Sequence, residues 1–180
     1  MPYAAPRMDP HHSAGEPEPM IVGWTPLLAK HATILDVAAG GGRHARWFAE
    51  RGHSVTAVDR DVTALRALAI PTIELVEADL EGDPWPLGDR TFDAVVVVNY
   101  LWRPLLPQLV ASVTPGGLLL YETFAEGNER FGRPSNPDYL LRSGELLDMT
   151  DELEVLEYGH GEVGDPPHAV RQRLLARRSS

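Results

Sequence analysis

The chain has 180 residues, 43% of them hydrophobic and 23% charged, the size and balance of one globular domain able to bury roughly 70% of its unfolded surface. It has no cysteine, which excludes a disulfide framework, a thiolate metal site and a cysteine nucleophile, and which a reducing cytoplasm permits. A net charge of −10 disfavours binding to nucleic acid phosphates and to anionic membranes.

Residues 1–20 hold Pro2, Pro6, Pro10, Pro17 and Pro19 and the pair His11–His12. They have no apolar core and no cleavage pattern, so a mobile arm is expected rather than a secretory signal, with the domain over 21–180. Nothing beside the His pair completes a ligand set, and no metal site is expected. No run reaches the ~18 apolar residues of a membrane span.

From residue 32 onward, short apolar runs alternate with helical patterns. Thr33–Ala38 reads as a strand running into glycines. Arg43–Arg51 reads as a helix, with Gly52 placed as its C-cap. Ser54–Val58 is a second strand with Asp59 at its end. Asp61–Leu68 is a second helix, stopped by Pro71, and Thr72–Val76 a third strand. Phe92–Val98 holds four consecutive valines and should be the central strand, covered on both faces. Leu101–Val113 is a helical pattern interrupted by Pro104 and Pro107, and Gly116–Thr123 is a fifth strand. Leu153 to Tyr158 and Ala169–Ala176 are two more strands. Too few residues join them for a crossover helix, so they should form an antiparallel hairpin. The order predicts an α/β fold: a Rossmann-like, doubly wound, mainly parallel seven-stranded sheet with an antiparallel C-terminal hairpin strand.

The segment Asp36-Val37-Ala38-Ala39-Gly40-Gly41-Gly42-Arg43 runs strand, small-residue turn, helix. Such a turn lets backbone approach a ligand closely. A dinucleotide fingerprint needs a third glycine for helix–strand packing. Registering Ala38 and Gly40 as its first two leaves Arg43 there, and starting at Gly40 puts Ala45 there but begins the turn late.

With these residues the sequence resembles the class I S-adenosylmethionine-dependent methyltransferases. Their first motif is an apolar strand, an acidic residue and G-x-G-x-G, here with Ala38 in place of the first glycine. The resemblance continues with Asp59 in Ala57-Val58-Asp59-Arg60 and Asp79 in Glu77-Ala78-Asp79-Leu80. It extends through Phe92-Asp93 before the fourth strand and Pro115-Gly116-Gly117 before the fifth. It covers residues 32 to 123, and the antiparallel tail agrees. Within the family, the compact form is similar to the small bacterial enzymes grouped with tellurite-resistance methyltransferases.

The resemblance implies a fold, a cofactor and a set of residues. The cofactor is S-adenosyl-L-methionine. Asp36 would shape the turn and reach the methionine amine through water. Ala38, Ala39, Gly40, Gly42 and Arg43 would border the amino-acid moiety. Asp59 and Arg60 would stand at the ribose, and Ala78, Asp79 and Leu80 at the adenine. Asn99 and Tyr100 would line the same edge. Asn99-Tyr100 does not continue as Asn-Pro-Pro-Tyr, the pattern of enzymes methylating amino groups of adenine or glutamine.

Methyl transfer from a sulfonium needs alignment more than a catalytic group, so no catalytic residue is assigned. On the acceptor side the candidates are Tyr100, Glu122, Arg133 and His160. Arg133, in a loop with Arg130, could bind an anion, or both could pair with nearby acids. Glu122 could be a base, or a strand-end carboxylate facing solvent or Arg103. His160 and His168 could be bases or ordinary loop histidines. Eight acids and no Lys or Arg lie between Arg142 and Arg171, a further argument against a nucleic acid substrate. The expected protein is a cytoplasmic methyltransferase with a small-molecule acceptor, no nucleic acid or membrane partner, and an oligomeric state the sequence leaves open. Its rivals are a non-catalytic methyltransferase-like scaffold and an NAD-dependent oxidoreductase.

Overall fold

The computed structural model describes residues 15–150 and 152–179. Seven strands form one sheet in the order β3-β2-β1-β4-β5-β7-β6. They are β1 (Thr33–Val37), β2 (Ser54–Asp59), β3 (Ile73–Glu77), β4 (Phe92–Val98), β5 (Val113–Phe124), β6 (Leu153–Val163) and β7 (Ala169–Arg178). β1 to β5 pair in parallel. β7 runs antiparallel to both β5 and β6. The predicted architecture is therefore present, hairpin included.

β4 is the middle strand, and its side chains alternate between two cores. Val95 and Val97 join Leu35, Val37, Leu119 and Tyr121 on one face. Ala94, Val96 and Val98 join Ile34, Val55, Leu118 and Leu120 on the other, beneath Phe48, Ile21 and Trp24. Helices α1 (Pro19–Trp24), α2 (Arg43–Ala49), α3 (Thr63–Ala67), α4 (Leu106–Ala111) and α5 (Glu145–Asp148) are all short, so side-chain burial rather than helical propensity holds them in place. Among the described residues no helix is long and apolar enough to cross a membrane.

Three expectations change in detail. The pattern over 101–113 is a 3-10 turn, Arg103–Leu105, followed by α4. Pro104 and Pro107 stand where backbone donors are unpaired anyway, so each opens a turn instead of breaking a helix. β5 begins at Val113, three residues early. Its register against β4 jumps from Phe92↔Val113 to Ala94↔Leu118, and the extra residues form a bulge. A side chain at Gly117 would sit 2.8–2.9 Å from the carbonyl oxygens of Thr114 and Asp93, so the Pro-Gly-Gly sequence serves this bulge. α1 was not foreseen. It begins at Pro19, within the segment expected as an arm; residues 1–14, with His11 and His12, lie outside the described residues.

Gly42 packs α2 against α3. A Cβ there would stand 2.5 Å from Leu65 Cδ2 and 2.8 Å from Leu68 Cδ1, on a backbone with φ +79°. Gly42→Ala combines left-handed strain with overpacking, although both clashing atoms are movable side-chain ends. The expected loss is roughly 2 kcal/mol, read as a lower denaturant midpoint with an unchanged m-value.

Candidate functional site

The carboxyl ends of β1, β2, β3, β4 and β5 share one edge of the sheet, where open α/β sheets hold ligands. A cleft of about 350 Å³ also opens at the opposite edge, lined by Thr33, Ser54, Thr72, Glu74, Arg90 and Phe92. Its charged members already satisfy each other, since Arg90 donates to both Glu74 oxygens at 3.0 and 2.7 Å. The carboxyl edge carries the left-handed turn after β1, the buried carboxyls of Asp36 and Glu122 and the sealed Tyr100 hydroxyl and Trp85 Nε1, and the site is placed there.

The turn after β1 is built from left-handed residues: Ala38 at φ +53°, Gly40 at +54° and Gly42 at +79°. Ala38 thus occupies a glycine conformation with a side chain, a strain of about 1–2 kcal/mol that persists only where surroundings enforce it. Two hydrogen bonds tie the turn to β2. Ala39 N–H donates to the Val58 carbonyl at 3.0 Å, and Gly40 N–H donates to Asp59 Oδ2 at 2.7 Å. Asp59 Oδ1 accepts from Asp61 N–H at 3.1 Å. The half-buried carboxylate keeps further lone pairs toward the edge. The space where a Gly40 side chain would stand is open, with no atom within 4 Å.

Asp36 lies beneath this turn, 1% exposed. Gly42 stands at the N-cap of α2 and has no side chain to cap with. Asp36 Oδ2 takes over that role from the neighbouring strand, accepting from Ala45 N–H at 2.9 Å. Burial pushes the Asp36 carboxyl up to about 7, against the Ala45 hydrogen bond and with the charge of Asp59 adding to the rise.

The N-terminal segment docks on the same turn. Arg43 donates to Glu18 Oε1 at 2.9 Å, and Glu18 N–H donates to His44 Nε2 at 3.2 Å. Burial holds the His44 imidazole down at about 3, so at neutral pH it has the lone pair this bond needs. Trp24 Nε1 reaches Glu157 Oε2 on β6 at 2.8 Å.

Beyond β3, Ala78 N–H donates to the Asp59 carbonyl at 3.0 Å. Asp79 is exposed and Leu80 buried, with Asp79 Oδ1 accepting from Glu81 N–H at 3.0 Å. Near them, the Tyr100 hydroxyl and Trp85 Nε1 are sealed from solvent without a described partner. Burial first, then the charges of Glu81, Asp79 and Asp59, raise the Tyr100 phenol. It is a donor at neutral pH, not a base.

At the ends of β4, β5 and β7 a second polar group assembles. Asn99 is held at φ +58°. Arg171 Nη1 donates to Asn99 Oδ1 at 2.7 Å and to Glu122 Oε1 at 3.1 Å, and its guanidinium lies 4.2 Å over the Phe124 ring. Glu122 is 7% exposed. Burial raises its carboxyl, opposed by Arg171 and reinforced by Glu18.

Other candidates fall elsewhere. Arg103 pairs with Glu145 at 2.6 Å, not with Glu122, and Glu122 does not face solvent. Arg130 pairs with Glu162 at 3.0 Å. Arg60, Arg133, His160 and His168 are exposed. Sequence reasoning missed Arg171, Glu18 and His44. The polar run Arg171-Gln172-Arg173 inside the otherwise apolar strand 169–176 was the available signal for Arg171. The other two are contacts over 26 residues, with no local signature.

Residues 34–117 match the family model described as "Methyltransferase domain". Over 166 residues, spanning 84% of this chain, it is 54% identical to the ribosomal RNA small subunit methyltransferase H of Gemmatimonas aurantiaca; the chain spans about half the length of that protein, 48%. Among solved structures it resembles TehB from Haemophilus influenzae, with a TM-score of 0.70 at 16% identity over 88% of this chain and 61% of that one. It also resembles the 1,6-didemethyltoxoflavin-N1-methyltransferase of Burkholderia thailandensis, with bound 1,6-didemethyltoxoflavin and S-adenosylhomocysteine. That TM-score is 0.70, at 20% identity over 91% of this chain and 78% of that one. The solved neighbours share the fold, and residues 34–117, a little under half of the chain, are similar to a methyltransferase domain.

Proposed function

We propose that the protein binds S-adenosylmethionine on the carboxyl edge and transfers its methyl group to a small-molecule acceptor. The observation that carries this reading is the left-handed turn Ala38–Gly42, tied to Asp59 and open at Gly40. The residues present fit the group: Gly40 leaves room for it, and the Tyr100 hydroxyl and Trp85 Nε1 need partners. When bound, the cofactor supplies a methyl group already activated on a sulfonium. Asp59 would hold the ribose hydroxyls with its remaining lone pairs. Asp79 and Leu80 would face the adenine, with Tyr100 donating nearby. The backbone of Ala38, Ala39, Gly40 and Gly42 would border the methionine portion, with Arg43, Asn99 and the Glu18 segment around it. Asp36 supports this turn from below.

A small acceptor suits the charge distribution. The net charge is −10, and β6, at the sheet edge, carries Glu154, Glu157 and Glu162. A polyanion would meet repulsion there. The Burkholderia neighbour holds a small acceptor in the same fold. A reducing cytoplasm is the compartment this reading assigns, on the lack of cysteine.

An RNA acceptor is the second reading. The 54% identity to a protein named as a ribosomal RNA methyltransferase favours it. Transfer of radiolabelled methyl from S-adenosylmethionine to small ribosomal subunits, compared with transfer into a deproteinised small-molecule extract, separates the two. Label in the extract alone supports the first; label in RNA replaces it with the second.

Calorimetric titration tests the cofactor directly. S-adenosylhomocysteine is expected to bind with micromolar affinity while NAD does not. Binding of NAD instead would mean an oxidoreductase, and binding of neither, by a folded protein, a scaffold.

A further inference from the structure

Glu122 combines three features that a purely structural carboxylate does not need. It is nearly buried, at 7% exposure. Only one of its oxygens is anchored: Oε1 accepts from Arg171 at 3.1 Å, while Oε2 takes no hydrogen bond from the described residues. Its anchor is itself fixed on three sides, by Asn99 Oδ1 at 2.7 Å, by the Phe124 ring at 4.2 Å, and by burial that leaves the Arg171 side chain 13% exposed. Asn99 is held in a left-handed backbone at the end of the central strand, the kind of strain found where a side chain must be aimed. Its N–H also donates to the Glu122 carbonyl at 2.9 Å. Three strands thus hold one carboxylate oxygen at the edge where β4 and β5 end.

We propose that Glu122 Oε2 takes the proton of the methyl acceptor, and that Arg171 and Asn99 are its positioning residues. This rests on the methyl-transfer reading above. It also narrows the acceptor to a nitrogen or oxygen nucleophile that carries a proton. As the acceptor's lone pair bonds to the methyl carbon, the carbon–sulfur pair returns to sulfur and the acceptor's proton passes to Oε2. The products are the methylated acceptor, a neutral thioether and a carboxylic acid that later yields its proton to water. Charge balances, since a sulfonium and a carboxylate are consumed together. An acceptor anionic at its reacting end is disfavoured, because Glu18 also faces Glu122 and two carboxylates would then oppose it.

The groups facing Glu122 set its titration: Arg171 and Arg173 from β7 lower it, Glu18 from the N-terminal segment raises it, and its own burial raises it most. Glu122 therefore holds a proton more readily than an exposed glutamate, the direction in which a general base is tuned.

The test needs no knowledge of the acceptor. Two probes are titrated: S-adenosylhomocysteine, and the cofactor analogue in which a carbon bearing an ammonium group replaces the methylsulfonium. A carboxylate at the point of transfer should favour the ammonium analogue by roughly 10-fold or more. Glu122→Gln should erase that preference while leaving S-adenosylhomocysteine affinity and the melting temperature near wild type. Arg171→Met should move the preference to higher pH, because losing the guanidinium raises Glu122, and Arg171→Lys should restore it in part. A preference unchanged in Glu122→Gln overturns the proposal. So does an equal loss for both probes, which would place Glu122 at the amino-acid end that the probes share. Failure of wild type to bind either probe overturns the methyl-transfer reading itself.

Discussion

Asp59→Ala should weaken S-adenosylhomocysteine binding by about 100-fold or more, with the fold intact by circular dichroism and thermal melting. A carboxylate has about four lone-pair sites. In Asp59 one is used on Gly40 N–H at 2.7 Å and another on Asp61 N–H at 3.1 Å. The remaining two suit a pair of ribose hydroxyls. Hydrogen bonds to a charged group contribute about 1.5–3 kcal/mol each, so losing two removes at least two decades of affinity. Alanine also frees the Gly40 N–H and loosens a turn that already carries strain at Ala38. Asp59→Asn separates these effects. Its amide oxygen can still accept from Gly40, so the turn stays tied, and the loss should be closer to 10-fold, the part due to charge. Calorimetric titration of the three proteins reads both steps. Wild-type affinity in the alanine variant would remove Asp59 from the ribose site.

The layout of the proposed site was largely legible in the sequence because its proposed cofactor half is local. Asp36, Ala38, Gly40 and Gly42 sit within seven residues on a strand–turn–helix, Asp59 ends β2, and Asp79 stands two residues past β3. A parallel sheet then brings those strand ends to one edge without further information. The proposed acceptor half is not local. Glu122 meets Arg171 across 49 residues and Asn99 meets the same arginine across 72. Neither distance leaves a spacing that pattern reading can use. The same reason hid the docking of Glu18 on Arg43 and His44, 25 and 26 residues away. The early start of β5 was hidden differently. Pro115-Gly116-Gly117 reads as the end of a helix and a turn, whereas the bulge absorbs it into the strand. Arg133 looked well placed on a loop after β5, but the loop's own 3-10 turns leave it exposed.

Asp36→Asn should stabilise the protein above neutral pH, and by an amount that depends on pH in a definite way. The folded Asp36 carboxyl titrates near 7, against 3.8 for an unperturbed aspartate. Between those values the folded state holds a proton that the unfolded chain has released, so wild-type stability falls as pH rises. The fall is complete above about 7, where the folded protein carries a buried anion stabilised by the Ala45 hydrogen bond and Arg43 but opposed by Asp59. Asparagine keeps an oxygen for Ala45 N–H and has no proton to lose. Below pH 4 both proteins are neutral at this position and should melt together. Through pH 4 to 7 their difference should open to a few kcal/mol, roughly 6–10 °C in melting temperature for a domain of this size. Above that it should stay constant. A difference already present at pH 4 would assign the effect to packing rather than charge. The predicted curve describes a carboxylate that lowers stability where it is ionised, although asparagine could cap α2 equally well. Its charge therefore works against the fold, whereas its Oδ2, as the cap of α2, works for it.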